Sequence, residues 1–66
     1  MLSNGLKYHI KGFCLEFDLD YKYTLLFIEE HIQLTQEILK RNLTNKEIFE
    51  LIEHSEDFLL RNTHGG

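Results

Sequence analysis

Between Leu6 and Leu19 the apolar residues change phase at one place, Gly12. Before it they fall on even numbers (Leu6, Tyr8, Ile10), and after it on odd ones (Phe13, Leu15, Phe17, Leu19). A single strand keeps one face apolar through such a change only if it bulges. A hairpin turning on Lys11-Gly12 removes the conflict. It sets Ile10 opposite Phe13, Tyr8 opposite Leu15 and Leu6 opposite Phe17 on one side. Lys7 then faces Glu16 on the other side, and His9 faces Cys14. Gly12 suits the second position of such a turn, which needs a positive φ. The spacing predicts a β-hairpin over about residues 5–20.

From Tyr21 to Arg41 the period changes to that of a helix, with Asp20 or Thr24 as N-cap and Lys40-Arg41 complementing the dipole at the C-terminal end. Two apolar stripes run along it. Tyr23, Phe27, Leu34 and Ile38 form the first, and Tyr21, Leu25, Ile28, Ile32 and Leu39 the second. Together they span on the order of 200°, where a surface helix needs about 100°. Asn42-Leu43 makes the turn, and Asn suits a left-handed helix end. Thr44 to Glu47 (TNKE) is a capping box that opens a second helix, about residues 45–62. Ile48, Leu51, Ile52, Phe58 and Leu59 form its main face, and Ser55 in the polar run EHSED marks a place where it would break. A short connection makes the two helices antiparallel neighbours. The expected fold is α+β: an N-terminal β-hairpin followed by an antiparallel two-helix hairpin (ββαα), one small domain over residues 1–66 with a flexible tail at 63–66.

With 66 residues the chain sits near the lower limit for folding alone, where disulfides, metals or self-association usually help. One cysteine excludes an internal disulfide, and no Cys/His cluster has zinc spacing, so no metal and no cofactor is expected. That leaves self-association or a bound partner. Eleven acidic residues against seven basic give a net charge of -4, which argues against free nucleic acid as a partner. No apolar run has the length of a membrane span, and no leader pattern opens the chain, so a cytoplasmic protein is expected.

Candidate functional residues are few. His31 lies in the middle of the wide apolar arc, suited to a pH-sensitive contact with a partner or to a catalytic base, or else to a hydrogen bond with a threonine or a backbone carbonyl. Glu47, Glu50, Glu53 and Asp57 share one polar sector of the second helix, an acidic ridge able to meet a basic partner surface. No nucleophile or carboxylate is placed beside His31 by the pattern, so no catalytic residue is assigned. Ile38, Asn42, Ile48 and Leu51 have helix-turn-helix spacing, but the helix that would enter DNA is acidic.

Residues 43–53 (LTNKEIFELIE) resemble the second helix of the Sda-type sporulation kinase inhibitors, which are helical hairpins. A hairpin followed by a helix is similar in outline to HicB-type antitoxins, without their third strand. Neither resemblance carries a residue's role onto this chain. The expected function is a small acidic, non-enzymatic protein-binding module, an inhibitor or regulator of a partner protein, working as a homodimer. The alternative is a small DNA-binding regulator of repressor or antitoxin type, using the pair of helices.

Overall fold

Residues 4–17, expected as the two strands of a hairpin, are a single helix. The computed structural model describes residues 2–64 and contains three helices: α1 (Asn4–Phe17), α2 (Tyr21–Leu39) and α3 (Asn45–His64). No strand occurs among the described residues, so the α+β, ββαα expectation is corrected to an all-α fold. The cause lies in the spacing itself. Leu6, Ile10, Phe13, Cys14 and Phe17 follow one another by four, three, one and three residues, which is one face of a helix. A step of four preserves odd or even numbering and a step of three reverses it. The phase change at Gly12 is therefore the step from Ile10 to Phe13.

Burial settles which residues belong to that face. Ile10 is fully buried and Cys14 is 2% exposed, while Tyr8 and Leu15, which the hairpin would have turned inward, are 80% and 76% exposed. His9 and Cys14 are not a facing pair, since Cys14 is buried in the core and His9 reaches α3. Gly12 has no positive φ and sits in the helix interior.

Each helix has a start signal in its own sequence. The Ser3 hydroxyl accepts from the Leu6 N–H, and Asp20 Oδ1 accepts from the Tyr23 N–H at 3.2 Å. At α3 the capping box is complete: Thr44 Oγ1 accepts from the Glu47 N–H, and Glu47 Oε1 accepts from the Thr44 N–H at 2.9 Å.

The stop signals of α1 and α2 use no glycine. Asp18 (φ 57°) and Lys40 (φ 58°) take the left-handed conformation that ends α1 and α2. The Leu19 and Arg41 N–H groups then bond back to the Cys14 and Gln36 carbonyls, in the manner of a Schellman motif. So Lys40, not Asn42, ends α2, two residues earlier than the sequence suggested. Ser55 does not break α3. Its hydroxyl, within a 5% exposed residue, donates to the Leu51 carbonyl at 2.9 Å and is satisfied inside the continuous helix. Of the tail expected at 63–66, the first two positions belong to α3, and Gly65 and Gly66 lie outside the described residues.

The core joins Leu2, Ile10 and Cys14 to Ile28 and Ile32 of α2 and Ile52 of α3. Ile10, Ile28 and Ile52 are fully buried, each stabilising the fold by about 1.5–3 kcal/mol relative to exposure. Leu6, Phe13, Tyr21, Leu25, Ile48 and Leu51 pack around them. Early α2 meets late α3 where Phe27 stacks on Phe58, and late α2 holds the turn before α3 where Gln36 Oε1 accepts from the Leu43 N–H. The two helices are thus antiparallel, as their short connection implied.

Candidate functional site

Of the two apolar stripes on α2, the core consumes the second except Leu39, which is 46% exposed. Ile28 and Ile32 of the second stripe are buried, and Tyr21 and Leu25 pack against them. The first stripe stays outside. Tyr23 is 61% exposed, Leu34 60% and Ile38 73%, with Phe27 half-buried among them. Helix α3 adds Phe58, whose ring lies parallel to that of Phe27 within 10° at 5.8 Å. A shallow groove continues this face between the two helices, lined by Phe27, His31, Leu51, His54, Ser55 and Phe58.

His31 belongs to this groove. Its ring packs on Phe27 with centroids 4.3 Å apart, and its Nδ1 lies 2.9 Å from the Phe27 carbonyl oxygen. A carbonyl oxygen only accepts, so Nδ1 carries the proton and donates, which leaves Nε2 as the nitrogen open to a ligand. Thr35 Oγ1 donates to the His31 carbonyl at 2.8 Å. The His31 ring thus bonds a backbone carbonyl, whereas the threonine bonds the His31 backbone and not its ring. The one hydroxyl of the groove, that of Ser55, donates to its own helix. No nucleophile–base pair is assembled there among the described residues.

The acidic ridge is less uniform than its sequence suggests. Glu47 is occupied locally by Arg41, with Nη1 to Oε1 at 2.9 Å and Nη2 to Oε2 at 2.8 Å. The Arg41 guanidinium and the Thr44 N–H hold its carboxyl down to about 2. Asp57 is paired with Arg61 one turn on, at 3.1 Å. Glu50 and Glu53 are exposed on the same helix. Four formal charges on the ridge therefore present about two to a partner.

Sequence reasoning missed a second acidic position, Glu56. Its Oε2 is buried and sits 3.1 Å from His9 Nε2, close enough for an ion pair but without an aligned hydrogen bond. Burial pushes the Glu56 carboxyl upward, His9 opposes that shift, and Glu53 adds to it. The His9 ring also packs on Phe49, 5.7 Å between centroids, so this one side chain ties α1 to α3 at two points. Only the pairing of α1 with α3 brings these residues together, and the hairpin reading hid it. Among the described residues no group of three His, Cys, Asp or Glu side chains is arranged to hold a metal ion, and no helix is long and apolar enough to cross a membrane. Comparison with protein-family models, with curated proteins and with solved structures yields no match.

Proposed function

We propose that the chain is a protein-binding module, an inhibitor or regulator that meets its partner through the bare apolar face of α2 and Phe58. The observation that carries this reading is the alignment of Tyr23, Leu34 and Ile38, all more than half exposed, on one helix whose other stripe is used by the core except at Leu39. Isolated exposed apolar residues are ordinary on a protein surface, whereas a continuous apolar face costs solubility and marks an interaction site. Glu50 and Glu53 give a basic partner surface a second, electrostatic point of contact. The alternative, a DNA-binding regulator, meets the difficulty that α3 turns carboxylates outward and that its Arg61 already pairs with Asp57.

The test is retention of a protein from native cell extract by the wild-type chain and by Ile38→Lys. At 73% exposure this change leaves the core untouched. A partner retained by the wild type and lost by the variant supports the reading. Equal retention by both, or no retained protein, contradicts it.

A further inference from the structure

The positions on the bare face of α2 have the same spacing from either end. Tyr23 and Ile38 are equally far from the point midway between residues 30 and 31, and so are Phe27 and Leu34. An interface around a two-fold axis requires a self-complementary patch, in which residue i meets j and j meets i. We propose that the occupant of this face is a second copy of the chain, its α2 antiparallel to the first about an axis beside Glu30-His31. The inference rests on the reading of this face as a protein-contact surface and names its partner.

Side-chain size favours the antiparallel direction. The two aromatic residues lie in the N-terminal half of the stripe and the two aliphatic ones in the C-terminal half. Antiparallel packing sets Tyr23 against Ile38 of the second copy and Phe27 against Leu34, so each of these four layers is one large ring and one branched chain, and at the axis Glu30 comes level with His31 of the second copy. Parallel packing would stack ring on ring at one end and leave the other end narrow, splaying the helices.

Charge favours it too. The same register opposes the two helix dipoles, while Arg41, level with Asp20 of the second copy, keeps its bonds to Glu47. The stripe spans about 22 Å along the helix axis at 1.5 Å per residue, long enough to fix one register.

Surface area gives an independent measure. The chain exposes 5116 Å², whereas a compact monomer of 7.9 kDa exposes about 4,400 Å². The excess, about 700 Å² over the whole chain, is surface that pairing of two copies can in part bury. The radius of gyration, 11.9 Å, likewise exceeds the value of about 10.8 Å for a compact chain of this length. A domain this small gains from such pairing the apolar burial that a single core of its size lacks.

Sedimentation equilibrium of the full chain up to millimolar concentration tests the assembly. The expected species has twice the 7.9 kDa chain mass. Leu34→Lys and Ile38→Lys, both at exposed positions, keep the wild-type circular dichroism and raise the dissociation constant at least about tenfold. Direction is read by disulfide capture with Tyr23→Cys and Ile38→Cys, the native Cys14 being buried. Antiparallel packing gives a mixed Tyr23→Cys/Ile38→Cys disulfide in excess over either self-linked product. A wild-type chain that stays monomeric overturns the proposal, as does a dimer that Leu34→Lys and Ile38→Lys leave intact, or one in which each cysteine variant links only to itself. A monomer that still loses its partner on Ile38→Lys overturns self-pairing alone. A dimer that retains no other protein overturns only the wider binding role.

Discussion

Arg41 grips Glu47 with two nearly equal hydrogen bonds, 2.9 and 2.8 Å, across the turn that joins α2 to α3. The grip exists because α2 stops at Leu39. Lys40 takes the left-handed conformation, and Arg41, freed from the helix, reaches both the Asn42 carbonyl and the Glu47 carboxylate. Glu47 titrates at about 2 when folded, against an ordinary value of 4.5. A carboxylate with a depressed folded value stabilises the fold above its unfolded value and loses that contribution as pH falls through the folded one. Glu47→Gln is therefore expected to be less stable than wild type at pH 6, with the gap closing between about pH 4.5 and pH 2. Urea unfolding of both proteins across that range checks it, and a gap independent of pH would count against the charge as its cause.

Glu56 carries the opposite sign. Burial raises its carboxyl, so folding favours the protonated form, and the ionised form opposes folding as pH rises through the raised value. Glu56→Gln keeps the shape and removes the charge. The variant is expected to gain stability relative to wild type as pH rises above the ordinary carboxylate value of 4.5. A difference that does not change with pH would count against a raised Glu56 carboxyl as its cause.

Lys40 holds φ at 58° with a Cβ, a conformation that costs about 1 kcal/mol or more for residues other than glycine. Lys40→Gly removes this strain at the expense of a more flexible unfolded chain. The expected net gain is about 0.5–1 kcal/mol in chemical denaturation. No gain would mean that the Lys40 side chain stabilises the turn in some other way.

The two stripes of α2 contribute differently to the monomer's stability. Ile28→Ala, at a fully buried position, is expected to cost about 2–5 kcal/mol. Ile38→Ala, at 73% exposure, is expected to change stability by less than about 0.5 kcal/mol when both are compared in dilute solution. Comparable losses would place Ile38 in the core.

Helices α2 and α3 were legible because their signals agree at several levels. Asp20 and Thr44 are favoured caps, the stripes keep a helical period, and Glu47 closes the capping box. Helix α1 was not, for a physical reason. Tyr8 and Leu15 are apolar by type yet lie on its wet side, filling the gaps that a period of two requires. Cys14, a small hydrophobe, reads as outward-facing in that scheme. Gly12 looks like a turn, and Asp18 hides the true stop by adopting a left-handed conformation without being glycine. The surplus of apolar surface was visible on α2, but only the placement of α1 and α3 shows which stripe remains bare. The partners of His9 and Glu56 lie 47 positions apart in sequence, and no local pattern connects them.

The bare face exists because residues 4–17 form a helix that covers the opposite side of α2. Gly12 tests this most directly. It is exposed within α1, its φ is not positive, and a Cβ built on it meets no atom within 4 Å. Gly12→Ala in a helix interior is expected to add about 0.5–1 kcal/mol of stability, which raises the thermal midpoint by several degrees with undiminished helical circular dichroism. A hairpin turning on Lys11-Gly12 needs the conformation that alanine resists, so a lowered midpoint on Gly12→Ala would contradict the three-helix fold and the interaction surface that depends on it.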